Sequence, residues 1–235
     1  MQSINTQSTV GELVAQYPAL MRVFEELAID YCCGGKKTLA EACAVTKLDV
    51  NTVVSVLNAT LASGSNDAAE QNWVDAPLDA LADHIESTHH TYLHEELPKL
   101  ANLVDRVTHV HGERHPELHE VQKVFNDLRA ELESHLRKEE QVLFPAIRTL
   151  VQANSNMSGA TLAPPIRVMI QEHDHAGDLL AVLRRLTDQY DVPADGCNSY
   201  KAMYLGLEAV EKDLHRHIAK ENNILFPRAL AYGAA

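Results

Sequence analysis

Nowhere does the sequence run through the ~18 consecutive apolar residues that a membrane-spanning helix needs, so a span of that kind is excluded. The opening stretch MQSINTQSTVGEL lacks both a basic start and an apolar core, and is not expected to act as a secretory leader. Cysteine is scarce: four in 235 residues is too few for a disulfide framework. The cysteines are therefore expected to be thiols in a reducing compartment, the cytoplasm. Positive charge is short as well. Twenty Lys and Arg stand against 33 Asp and Glu, for a formal charge of −13. That balance argues against a nucleic-acid partner, which needs a basic face. Glycine and proline are sparse inside long stretches, where apolar residues recur at steps of three and four. The pattern predicts an all-α protein.

Within residues 1–62, Thr9 with Glu12 and Thr38 with Glu41 each fit a capping box, and Asp49 fits the cap of a third helix through Val53, Val54 and Leu57. Between the first two lies DYCCGG, residues 30–35, read as a loop after a helix in which Gly34 or Gly35 takes the left-handed conformation. The stretch ASGSNDAAEQNWVDAPL is small, polar and weakly periodic, and residues 63–75 of it are read as a linker. Residues 76–232 then read as four long helices, roughly 76–107, 116–149, 164–190 and 197–231, broken at HGERHP, NSNMSGATLAPP and YDVPADG. Four helices with short connections make an up-down bundle.

What the chain has in excess is histidine, 13 in all. Some of it repeats. HLRKEEQVLFP in the second long helix matches HIAKENNILFP in the fourth at an offset of 82 residues, pairing His135 with His217 and Glu139 with Glu221. His90 precedes His135 by 45 residues, and His173 precedes His217 by 44. The segment therefore reads as a duplicated helical hairpin. Helical phase places these residues on the core-facing seam. One stripe runs Leu118, Val121, Phe125, Leu128, Leu132, His135, Glu139, Val142. Another runs Leu207, Val210, Leu214, His217, Glu221, Ile224, and a third Ile166, Met169, His173, Ala176, Leu180, Leu183.

An ionised glutamate in a bundle core is costly unless paired or metal-bound. Two of them, each one turn from a histidine, point to metal coordination by His90, His135, Glu139, His173, His217 and Glu221. The donor set is imidazole and carboxylate, which suits two ions of iron, manganese or zinc. On the first long helix, His89 and His94 compete with His90. Glu131 and Glu172 are placed either to orient ligand histidines or to sit solvated at the surface. Cys32 and Cys33 bridge each other only with strain. Their flexible neighbours and Lys36 and Lys37 favour an accessible thiolate. Cys43 and Cys197 are read as core residues.

DYCCGGK near the start, followed by a bundle carrying His-x-x-x-Glu, EHD and ENNILFP, resembles the family of proteins for repair of iron centres. The resemblance covers nearly the whole chain: a small ScdA-type N-terminal domain, then a hemerythrin-like four-helix bundle. It implies two non-haem iron ions, carboxylate- and oxo-bridged. His90, His135, His173 and His217 become terminal ligands, Glu139 and Glu221 bridges. It favours His90 over His89 by its distance from Leu97-Pro98. It implies a cytoplasmic stress protein whose partners are damaged iron–sulfur proteins or the cluster-assembly machinery. Nitric oxide or oxygen would be its small ligands, and a homodimer is compatible with the arrangement. Reduction of nitric oxide, or its simple binding, is the alternative activity, with Cys32 and Cys33 as the reacting thiols. Oxygen-carrying hemerythrins use five histidines where this pattern supplies four. The smaller number implies a more symmetric site with an open position on each iron, and His94 and His215 stand nearby as further candidates.

Overall fold

The structure is a computed structural model and describes residues 4–63, 71–152 and 158–233. Most of the expected linker, and part of the NSNMSGATLAPP break, lie outside the described residues. Among the described residues there is no sheet, only an isolated backbone bridge between Thr9 and Thr38. The protein is all-α: a small helical N-terminal domain followed by an up-down four-helix bundle. By spatial clustering the chain divides into two compact units. One comprises residues 1–82, 150–161 and 215–235, the other residues 83–149 and 162–214.

In the first unit, α1 (Val10–Gln16), α2 (Leu20–Glu26), α3 (Leu39–Thr46) and α4 (Val50–Ser63) form the N-terminal module. Both capping boxes form. Thr9 Oγ1 accepts from the Glu12 N–H at 3.2 Å while Glu12 accepts from the Thr9 N–H at 2.9 Å. Thr38 and Glu41 repeat the exchange at 3.2 and 2.8 Å. The Asp49 carboxylate takes the Thr52 N–H at 2.8 Å, as a cap should. The apolar faces of these helices close around Val10, Leu13, Val14, Leu20, Phe24, Leu39, Val53 and Leu57. Ile218 and Ala219, from far along the chain, complete this core.

The second unit is built on α6 (Thr91–His111), α7 (Glu117–Lys138), α9 (Ala163–Leu186) and the first part of α10 (Asn198–Lys220). Its core is the expected stripes brought face to face: Leu97, Val104, Val121, Phe125, Leu128, Leu180, Leu207, Val210 and Leu214 among others. Gly206 lies where α10 passes close to Leu100, whose Cδ1 would be 2.9 Å from an added Cβ. The half-buried Arg184 donates twice, at 2.9 Å each, to the buried Glu211, crossing between α9 and α10.

The long helices are not regular throughout. Short helices α5 (Leu78–Ile85), α8 (Phe144–Gln152) and α11 (Phe226–Ala231) are joined to α6, α7 and α10 by three π-turns, Glu86–His90, Glu139–Leu143 and Glu221–Leu225. In each, the N–H after the turn bonds five residues back: Thr91 to Glu86, Phe144 to Glu139, Phe226 to Glu221. For the last two the cause is in the sequence. Pro145 and Pro227 have no N–H to give, and their rings crowd the carbonyls of Gln141 and Asn223 four residues earlier. Widening the turn relieves the crowding. The extra residue shifts the helical phase and corrects one expectation: Val142 is 59% exposed, and Leu143, at 1%, takes the core position instead.

Candidate metal centre

The seam histidines and glutamates are buried, and every π-turn carries one of them. His90 closes the first π-turn, Glu139 opens the second and Glu221 opens the third. π-turns recur at functional sites because they re-aim a side chain without breaking a helix. Glu139 and Glu221 have no exposed surface, and His90, His135, His173 and His217 are at most 4% exposed.

In the second unit these side chains converge. His90 Nε2 lies 3.4 Å and His135 Nε2 3.3 Å from Glu139 Oε2. His173 Nε2 faces His135 Nε2 at 3.1 Å. Ligand atoms of His135, Glu139 and His173 all lie within 4.8 Å of one another, and Glu139 groups with His90 in the same way. The outer ring nitrogens are held from behind. His90 Nδ1 donates to Glu140 Oε1 at 3.1 Å and His135 Nδ1 to Glu172 Oε2 at 2.9 Å. A carboxylate at Nδ1 fixes the tautomer and turns the Nε2 lone pair inward, the usual arrangement behind a metal-binding imidazole. Hydrogen bonding by His135, reinforced by Lys138, holds the Glu172 carboxyl down at about 2. The His90 ring also stacks on Phe144, with centroids 5.4 Å apart. In the first unit, His217 Nε2 lies 3.0 Å from Glu221 Oε1, one turn along the same helix.

The neighbouring histidines go elsewhere. His89 Nδ1 bonds Asp213 at 2.8 Å, and His94, exposed, bonds Glu140 at 2.8 Å. His215 packs edge-on against Tyr31. Of the two carboxylates singled out by sequence, Glu172 reaches His135 and Glu131 pairs with the exposed His175 at 3.0 Å. Glu140 escaped the sequence reading, although its position immediately after Glu139 was the available signal.

The cysteine loop corrects three expectations. Gly34 and Gly35 are not left-handed; the positive φ after α2 falls on Ala28, at 52°. The glycines are there for space. A Cβ on Gly34 would lie 2.8 Å from Asp30 Oδ2, and one on Gly35 would strike Asn223 Oδ1. Cys32 is buried rather than presented as an accessible thiolate. Its hydrogen bond to Cys33, its burial and nearby Asp30 push its thiol well up. Asp30 Oδ1 collects the loop, accepting from the Cys32 N–H at 3.1 Å and the Cys33 N–H at 3.0 Å. Lys36 and Lys37 are exposed and do not offset that carboxylate. Cys33 is half-buried, its sulfur 3.8 Å from that of Cys32, and neither is in a disulfide. Cys43 is a core residue as expected. Cys197 is not. It is exposed at the head of α10, 3.2 Å from His111 Nε2, and the Tyr200 backbone N–H pulls its thiol down.

Buried imidazoles and carboxylates on bundle helices, backed by further carboxylates, fit a mid-row transition-metal cation by donor chemistry alone. They define a hemerythrin-like metal-binding protein. The family model described as the hemerythrin HHE cation binding domain matches residues 81–229. The ScdA N-terminal model, a domain of unknown function, matches residues 6–61. Proteins named iron-sulfur cluster repair protein YtfE, from Escherichia coli O81 (strain ED1a) and Escherichia coli O1:K1 / APEC, are each 40% identical over 222 residues. The alignments cover 94% of this chain and 96% of each relative, and an Escherichia fergusonii protein of the same name matches equally. The chain belongs to the family of these iron–sulfur cluster repair proteins, and its hemerythrin-like domain is an iron-binding one. No helix among the described residues is long and apolar enough to cross a membrane.

Proposed function

We propose that this protein restores iron–sulfur clusters damaged by nitric oxide or oxidants, working from a pair of iron ions held in its bundle. The two sequence domains are taken as 1–62 and 76–232, joined by 63–75. His90, His135, His173 and His217, with Glu139 and Glu221, would hold the ions through imidazole and carboxylate donors. The observation that carries the reading is the convergence of three buried imidazoles on the fully buried Glu139, two of them backed by carboxylates. The repeat extends it, because His217 and Glu221 reproduce the His135–Glu139 spacing. The YtfE relatives, by their name, act in cluster repair, and this chain matches them over 94% of its length.

Bound iron supplies exchangeable coordination positions and one-electron redox chemistry. The chain's own residues set the conditions. Glu140 and Glu172 hold the imidazoles in one tautomer and one orientation. Glu139 and Glu221 bring negative charge into an apolar core, where a cation offsets a burial cost of several kcal/mol. Leu93, Leu97, Leu132 and Leu136, all buried in the same unit, limit water. Cys32 and Cys33 supply thiols for handling iron or nitric oxide with a client, in the cytoplasm, where such thiols stay reduced.

The test is reactivation of a [4Fe–4S] hydratase inactivated by nitric oxide, with purified iron-loaded protein under anaerobic conditions. Recovery of hydratase activity that fails with a His135→Ala, His217→Ala variant is the expected result. No recovery, with steady conversion of nitric oxide to nitrous oxide instead, would overturn cluster repair in favour of nitric oxide reduction.

A further inference from the structure

The residue pair that follows Glu221, Asn222 and Asn223, is absorbed by neither the metal site nor the fold. Both side chains point at the cysteine loop. Asn223 Nδ2 donates to the Tyr31 carbonyl at 3.0 Å, and Asn222 Nδ2 donates to the Cys32 carbonyl at 3.3 Å. The fit around Asn223 is close. A Cβ on either Gly11 or Gly35 would collide with its Oδ1, and those two glycines are themselves joined by a Gly11 N–H to Gly35 carbonyl bond at 2.9 Å. Either side of the loop is pinned as well. Arg216 reaches Glu25 at 3.3 Å, and Glu25 accepts from the Tyr31 hydroxyl at 2.8 Å. Ile218 and Ala219 fill the module's core. A loop carbonyl needs a donor, which the asparagine NH2 supplies and a carboxylate could not.

We propose that Asn222 and Asn223 are positioning residues that seat the Cys32–Cys33 loop on the π-turn bearing Glu221. The thiols and the turn then move as one body, and Cys32 reacts only when the seat opens. The role of the thiols in repair rests on the function proposed above; the seating itself does not.

The experiment measures alkylation of each cysteine by iodoacetamide, resolved by peptide mass spectrometry, in iron-loaded wild type, Asn222→Ala/Asn223→Ala and the isosteric Asn223→Asp. Cys43, buried in the same module, reports general opening. Loss of one or two hydrogen bonds raises the population of the open seat on the order of tenfold or more. Cys32 alkylation is therefore expected to quicken by that factor in both variants, with iron content and the Cys43 rate unchanged. An unaltered Cys32 rate, or Cys32 and Cys43 rising together, would overturn the seating. The function reading fails separately, if wild type binds no iron or if Cys32→Ser/Cys33→Ser repairs clusters as well as wild type.

Discussion

Residues 135–145 and 217–227 are two copies of one segment, each a helix, a π-turn opened by glutamate and a closing Leu-Phe-Pro. Among the positions where they differ is the residue after the glutamate. In the first copy it is Glu140, which accepts hydrogen bonds from His90 and His94. In the second it is Asn222, which donates to the Cys32 carbonyl. A carboxylate can only accept and so suits imidazole N–H groups; an amide can donate and so suits a peptide carbonyl. The duplicated frame keeps the inward-facing ligands alike. The outward-facing neighbour is free to differ, and each copy uses it for a different partner.

The comparison can be broken at several levels. The largest effect is expected from Glu139→Ala, which removes the carboxylate shared by three histidines; iron content should fall from about two per chain to below one, read by metal analysis. Next is stability. Leu143→Ala should cost about 2–5 kcal/mol in chemical denaturation, as a buried leucine does. Val142→Ala should stay within about 0.5 kcal/mol. Equal costs at the two positions would mean that the π-turn does not set the phase. Third, Glu140→Ala should weaken metal affinity about 10- to 100-fold, the usual cost of losing a ligand's outer partner. The matched change Asn222→Ala should leave affinity within about threefold. A competition titration against a chelator separates the two. The smallest effect is Thr38→Ala, about 1 kcal/mol from one capping box, which should appear in unfolding and leave iron content alone.

Much of this was legible in the sequence because it is local or periodic. The two capping boxes form as Thr9-Glu12 and Thr38-Glu41 predict, since both partners sit within one turn. The seam stripes are buried because apolar spacing at three and four leaves a helix one way to face a core. Of the candidate ligands, His90, His135, Glu139 and His173 meet in one unit, and His217 meets Glu221 in the other. What escaped depends on contacts distant in sequence. One of the glycines after Cys33 is expected to be left-handed, yet their reason is space beside Asp30 and an asparagine nearly 190 positions away. Burial of Cys32 follows from the same packing, which the nearby lysines do not reveal. Cys197 is of a residue type common in cores, but it falls at a helix start between Gly196 and Asn198, outside the stripe. The π-turns had a signal in Pro145 and Pro227 that a count at 3.6 residues per turn passes over.

The central proposal is that the histidines and glutamates of the duplicated segment hold iron. Iron content with a Mössbauer spectrum, on protein purified without added metal beside a His135→Ala, His217→Ala variant, tests it most directly. The account predicts about two antiferromagnetically coupled irons per chain, lost in the variant. Iron retained unchanged in the variant, or none in the wild type, would contradict it.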